Sequence, residues 1–158
     1  MSSISDPFEL TQIIHSMNTV KLVAVFAENR PGQVARITEV LAHANINIRC
    51  IIVASTGNCG IMKVLVNDPD LACQTLKKEG FAATLTDVIA VEMPDKPGAL
   101  HSVAQCLAAH DINLCNTSGF AANNRAILVL EVEDPAQAGE VLKKHGLHVL
   151  TQKETLAI

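Results

Sequence analysis

An α+β fold of two tandem βαββαβ repeats, each an antiparallel sheet with its helices on one face, is predicted by three observations. The chain repeats itself with a period of 66 residues and no gap. Short apolar runs alternate with segments of helical spacing. A Pro-Gly turn stands after the first apolar run of each repeat. Pro31-Gly32 aligns with Pro97-Gly98, Leu41-Ala42 with Leu107-Ala108, and Ile46-Asn47 with Ile112-Asn113. Asp68-Pro69 aligns with Asp134-Pro135, Lys77-Lys78 with Lys143-Lys144, and Gly80 with Gly146. The organisation read from this is an arm over residues 1–19, a first repeat over 20–87 and a second over 88–158.

In the arm, Ser5-Asp6-Pro7 is a helix start, and Leu10, Ile13, Ile14 and Met17 share one helical stripe. It is read as a docking helix or frayed arm, with a partner-binding element as the alternative. Lys21–Phe26 is the first strand and Gln33–Ala44 the first helix, with Val34, Ile37, Leu41 and Ala44 on one face. Ile46–Ser55 and Ile61–Val66 are strands joined by the turn Thr56-Gly57-Asn58. Asp68 caps a second helix with Pro69 at its first position, Lys77-Lys78 at its negative end and Gly80 beyond. Phe81–Leu85 is the fourth strand, and the plan recurs from Val88 to Thr151. The closing Glu154–Ile158 aligns with the start of the second repeat, which suggests an extra strand.

The strands are apolar on both faces. Simple alternation places Ile46, Ile48, Cys50 and Ile52 on one side and Ile51 and Val53 on the other. Helices cover one face of such a sheet, so the other is expected to meet the second repeat or another subunit. Only Thr86-Asp87 separates the repeats, which leaves them little freedom to move apart.

Composition removes several function classes. With 49% hydrophobic residues and a net charge of −4, the chain is not of the disordered class. No apolar run reaches membrane length, and no basic region followed by an apolar stretch marks a secretory signal. Five cysteines, an odd number without a CxxC pair, fit free thiols in a reducing cytoplasm. Nucleic acid is not an expected partner, because the chain is acidic, lacks Trp and Tyr and has only four Phe.

The candidate binding elements are Glu28-Asn29-Arg30-Pro31-Gly32 and its copy Pro94-Asp95-Lys96-Pro97-Gly98. A strand, a turn and a helix start leave N–H groups unpaired at one spot, at the positive end of the helix dipole. Those donors suit the carboxylate of a zwitterionic amino acid. Asn29 offers an amide oxygen and Asp95 a full negative charge for its ammonium. Gly32 and Gly98, lacking a Cβ, leave the backbone open to close approach. The competing reading is that Asn29 and Asp95 cap the turn and helix. Asn47 and Asn113 each begin a strand between apolar residues, where Asn is disfavoured. Either they have a polar task or they bond local backbone at the helix exit.

These residues carry a family resemblance. The βαββαβ plan, the strand–(Asn/Asp)-x-Pro-Gly–helix turn and Ile-Asn-Ile after the helix resemble the ACT domain, a ferredoxin-like regulatory module of amino-acid metabolism. The resemblance covers about Val20 to Thr151. It implies binding of a small amino acid or related metabolite between paired domains. Glu-Asn-Arg-Pro-Gly is similar to the effector-binding turn of the serine-sensing domain of phosphoglycerate dehydrogenase, where a turn Asn and a second-strand Asn from the facing domain hold the effector. Carried over, the ligand-binding positions are Asn29, Arg30, Pro31, Gly32 and Asn47 in the first repeat, and Asp95, Lys96, Gly98 and Asn113 in the second. The Asn29 turn would face Asn113, and the Asp95 turn Asn47. Ala27 and Met93 stand where that family turn carries a His, which leaves the effector open.

No catalytic or metal constellation is read from the sequence, and no cofactor is implied. No cysteine is duplicated: Cys50 aligns with Asn116, Cys59 with Arg125, Cys73 with Gly139, Cys106 with Val40 and Cys115 with Arg49. They are read as buried or idle thiols. His43, His101, His110, His145 and His148 show no His-x-x-x-His spacing, and His145 is read as a cation at a helix end. The expected protein is a cytoplasmic, dimeric, non-catalytic sensor. The alternative is a subunit that binds a biosynthetic enzyme in trans, as the small subunit of acetolactate synthase does. An enzyme of the acylphosphatase kind is not supported, for want of a convergent Arg and Asn pair.

Overall fold

The structure is a computed structural model that describes residues 19–122 and 125–157; the expected helix over residues 5–17 lies outside them. Lys21–Thr86 and Asp87–Ile158 are the bodies of two compact units. The first contains β1 (Val20–Glu28), α1 (Gln33–His43), β2 (Ile48–Thr56), β3 (Cys59–Val66) and α2 (Pro69–Lys78). β4 (Ala82–Pro94) supplies residues to both units. The second contains α3 (Ala99–Ala108), β5 (Leu114–Ala122), β6 (Arg125–Val132), α4 (Pro135–Lys144), β7 (His148–Leu150) and α5 (Gln152–Leu156). None of the described helices is long and apolar enough to cross a membrane.

In the first unit the strand order is β2-β3-β1-β4, and in the second it is β5-β6-β4-β7. The register-defined pairs β1–β3, β2–β3, β4–β6, β4–β7 and β5–β6 are all antiparallel. The helices form where the sequence places their signals. Asp68 Oδ1 accepts from the Leu71 N–H at 3.0 Å and Asp134 Oδ1 from the Gln137 N–H at 2.9 Å, each with proline opening the helix behind it. Each such cap satisfies one N–H that the helix leaves unpaired. Leu41 and Leu107, at aligned positions, are 0% and 1% exposed and anchor the helices on the two cores. The first core gathers Val23, Val25, Ile37, Leu41, Val64 and Leu76; the second gathers Ile89, Val91, Val103, Leu107, Leu130 and Leu142.

Two features depart from the sequence expectation. The register shifts between Ile48 and Cys50, and again between Leu114 and Asn116 in the second unit. An extra residue in one strand reverses its alternation beyond that point. Ile48 therefore lies opposite the core residue Val66, whereas Cys50 lies opposite Leu65 and Ile52 opposite Lys63. Ile51 and Val53 pair with the core residues Val64 and Met62, so they belong to the helix-covered face. Both alternations are buried in the middle of β3, where Lys63, Val64 and Leu65 are all enclosed.

The second departure is at the C-terminus. Gln152–Leu156 is a helix and not an extra strand. Thr151 caps it by accepting from the Glu154 N–H, and Glu154 Oε2 accepts from the Thr151 N–H at 2.8 Å. That reciprocal pair is a capping box, which favours a helical turn over an extended chain.

Candidate functional site

The site is built from the turn between β1 and α1. Glu28 ends the strand, Asn29 and Arg30 bend the chain, and Gly32 precedes the helix at φ +88° and ψ −14°. Gly98 repeats this at φ +86° and ψ −12°. A Cβ built at either glycine would meet nothing within 4 Å. The left-handed backbone therefore explains both glycines, at roughly 1–2 kcal/mol for any residue with a Cβ.

Neither helix start receives a side-chain cap. The Gln33 N–H reaches Arg30 O at 3.4 Å and the Arg36 N–H reaches Gly32 O at 2.9 Å. The N–H groups of Gly32, Val34 and Ala35 have no acceptor among the described residues. In the second unit the N–H groups of Gly98, Leu100 and His101 are left in the same way. Each turn therefore presents several donors at the positive end of a helix dipole.

Asn29 does not cap α1. Its Nδ2 donates to Gly57 O at 3.0 Å and its backbone N–H to Asn58 O at 2.8 Å, tying the turn to the β2–β3 hairpin. Gly57 sits in that two-residue loop at φ +59°, as the first position of a tight hairpin loop favours. The amide oxygen of Asn29 keeps its lone pairs, with no partner among the described residues. The Asp95 carboxylate has no N–H to donate and cannot make the side-chain half of such a clamp. Arg30 Nε lies 3.0 Å from Glu28 Oε2, with the side chains 61% and 70% exposed, so this pair adds well under 1 kcal/mol.

A pocket of about 50 Å³ opens between this turn, the first turn of α1 and the hairpin. Asn29, Arg30 and Gln33 supply its polar wall; Val34, Ile37, Val53 and Met62 supply its apolar one. A site for one water needs roughly 10–15 Å³ on this measure, so the pocket takes a group of a few heavy atoms. The register shift at Cys50 is what turns Val53 toward it, beside Met62. Val53 is 55% and Val34 41% exposed, so the apolar wall continues out to the surface.

Asn47 and Asn113 stand elsewhere. Each precedes its strand, and both are exposed. The Asn47 N–H donates to Asn67 Oδ1 at 2.8 Å and the Asn67 N–H to Asn47 O at 3.2 Å. The local-backbone role thus accounts for the Asn47 main chain and leaves its side chain to solvent. Within the first unit, Asn47 and Asn29 are separated by almost the length of β2, on the order of 25–30 Å. One unit does not bring them together, and Asp95 and Asn113 are related in the same way along β5. Asn113 borders a broad acidic hollow with Asp111, Glu133 and Asp134. Lys96 and Pro97 are exposed beside Asp95, as Pro31 is beside Asn29.

A second cluster, not anticipated from the sequence, lies at the other end of α3. Cys106, His110 and His145 bring one ligand atom each to within 4.8 Å of one another. Nδ1 of His110 lies 2.9 Å from Cys106 O, and Nδ1 of His145 lies 2.9 Å from Val141 O. The rings meet edge to face with centroids 5.0 Å apart. Burial pushes the Cys106 thiol up from its ordinary value, holding it protonated. The available sequence signal was the Cys106-x-x-x-His110 spacing at the end of the predicted helix. Elsewhere, the N–H and hydroxyl bonds from Thr151 hold the Glu154 carboxyl below the usual range.

The turns, caps and strand orders of the two units define a pair of ferredoxin-like modules. The chain belongs to the ACT domain pair family, whose model matches residues 18–158. Among solved structures it is similar to a crystallised protein of Bacteroides thetaiotaomicron, 33% identical with a TM-score of 0.85, across 91% of this chain and 99% of that one. It is also similar to the regulatory subunit of aspartate kinase from Thermus thermophilus in ligand-free form, 17% identical with a TM-score of 0.61, across 81% of this chain and 93% of that one. The corresponding subunit from Thermus flavus is 17% identical with a TM-score of 0.56, across 78% and 90% of the two chains. Both aspartate kinase likenesses are likenesses of fold. A comparison with curated proteins gave no match.

Proposed function

We propose that this chain is a non-catalytic sensor that binds a small amino acid or related metabolite at the β1–α1 turn. The observation that carries the reading is the unpaired N–H groups of Gly32, Val34 and Ala35 beside the Asn29 amide and an apolar pocket wall. The N–H groups take the ligand carboxylate, Asn29 Oδ1 accepts from its ammonium, and Val34, Ile37 and Val53 receive its side chain. A pocket of about 50 Å³ holds only part of such a ligand, which supports a site completed by a second surface. In this proposal that surface is the Asn113 region of a paired domain, in a homodimer. The Asp95 turn with Lys96, Gly98 and Asn47 is the corresponding site of different charge and different affinity. Binding would shift a pre-existing equilibrium between two packings, by no more than its differential affinity for them.

Micromolar to millimolar affinity, about −8 to −4 kcal/mol, would match metabolite concentrations. A ligand at about 100 times its dissociation constant adds roughly 2.7 kcal/mol of stability. Thermal-shift measurements of the full chain with each of the twenty amino acids test the reading: a selective rise in Tm supports it, and no rise with any of them counts against it. A second reading is a regulatory subunit that acts on an amino-acid biosynthetic enzyme in trans. What favours it is the likeness to chains described as regulatory subunits of aspartate kinase. Co-purification of such an enzyme without any effector would favour this second reading.

A further inference from the structure

We propose that Cys106, His110 and His145 form a binding site for a zinc-class divalent metal in the second unit, holding it through one thiolate and two imidazoles. Two separate parts of the unit supply the ligands: Cys106 from the last turn of α3 with His110 just after it, and His145 from just beyond α4. Cys106 lies in the last turn of α3 and His110 two residues past its end, where the His110 ring folds back so that Nδ1 lies 2.9 Å from Cys106 O. Their ligand atoms already lie within 4.8 Å of one another and of His145. Tetrahedral zinc, with bonds of about 2.3 Å to sulfur and 2.0–2.1 Å to nitrogen, sets its ligands about 3.3–3.6 Å apart. Binding an ion there requires the triangle to close by up to about 1.2–1.5 Å.

The second observation is the orientation of the rings. A backbone carbonyl can only accept, so each Nδ1 bonded to one carries its proton there. In the neutral ring that leaves the lone pair on Nε2. An imidazole that donates one N–H to a backbone carbonyl and offers its other nitrogen is the arrangement metal-ligating histidines adopt. The third observation comes from the repeat. The aligned positions in the first unit are Val40, Ala44 and Glu79, which line a groove at the ends of α1 and α2 and offer no nitrogen or sulfur ligand. All three ligands are therefore particular to the second unit, although the fold around them is duplicated.

On binding, the Sγ–H bond of Cys106 breaks, the proton leaves to bulk water, and the thiolate lone pair enters the metal shell. Three protein ligands leave one tetrahedral position for water or an exogenous donor. The bound ion would link the C-terminal ends of α3 and α4.

Cobalt(II) titrated into the metal-stripped, reduced full chain is the test, because its spectrum reports both geometry and sulfur ligation. The expected result is one ion per chain, a thiolate-to-cobalt charge-transfer band and intense tetrahedral visible bands, displaced by zinc. Cys106→Val and His110→Ala, which install the residues of the first unit, and His145→Gln should each weaken binding by at least the roughly 10–100-fold that loss of an outer-shell partner costs. Cys106→Val should also abolish the charge-transfer band, while Cys59→Ser leaves it intact. Unchanged circular dichroism of the metal-free variants separates ligand loss from misfolding. Absence of the band in the wild-type chain, or its persistence in Cys106→Val, would overturn the proposal.

Discussion

Replacing Asn29 separates its structural role from its proposed binding role. Its Nδ2 donates to Gly57 O at 3.0 Å, and the backbone N–H to Asn58 O at 2.8 Å is independent of the side chain. Asn29→Ala removes one exposed hydrogen bond and leaves a carbonyl that water can reach, which is expected to cost about 0.5–1.5 kcal/mol. Asn29→Asp puts a carboxylate against that carbonyl, so two acceptors face one another and the cost rises to roughly 1–3 kcal/mol. For a unit of this size each kcal/mol lowers Tm by about 4–8 °C. Thermal unfolding followed by circular dichroism should therefore rank wild type above Asn29→Ala and Asn29→Ala above Asn29→Asp. The binding prediction has a different order. Asn29→Asp keeps an acceptor for an ammonium group and Asn29→Ala does not, so ligand-induced stabilisation should survive better in the less stable variant. Equal Tm values for wild type and Asn29→Asp, within about 1 °C, would refute the clamp.

Other predictions concern the framework. Leu41→Ala and Leu107→Ala, at aligned and fully enclosed positions, should each cost about 2–5 kcal/mol, measured by urea denaturation. Asp68→Ala and Asp134→Ala each remove one N-cap acceptor and should cost about 1 kcal/mol, with Asp68→Asn nearly neutral. Glu154 has a folded-state pKa below its unfolded value, so its stabilising effect is present above the unfolded pKa and disappears as pH falls through the folded one. A carboxylate NMR titration should find Glu154 below the ordinary glutamate value, and Thr151→Val should move it up.

Much of the fold was legible because the decisive signals are local. Asp68-Pro69 and Asp134-Pro135 start helices through their own side chains, and Gly80 and Gly146 end them with positive φ. The register shifts at Ile48/Cys50 and Leu114/Asn116 left no such mark. Arg49 and Cys115 are not residues that announce an irregular strand, and alternation counted straight through them sends Val53 to the wrong face. The C-terminal strand was suggested by repeat alignment, whereas Thr151-x-x-Glu154 carried the stronger local signal for a helix. At the turn, Asn29 was legible as a polar residue with a task. Its bond to Gly57 spans 28 residues and follows only once the hairpin is folded against it. The same holds for His145, which meets Cys106 and His110 only through the packing of α3 and α4.

The central claim is that a small amino acid is held by the first-turn N–H groups of α1 beside Asn29. Amide NMR of the isotopically labelled full chain, titrated with each of the twenty amino acids, addresses it residue by residue. The account predicts saturable, selective shifts largest at Gly32, Val34, Ala35 and the Asn29 side-chain amide, lost in Asn29→Ala. Saturable binding whose largest shifts fall away from both the Asn29 and Asp95 turns, or no saturable shift with any amino acid, would contradict it.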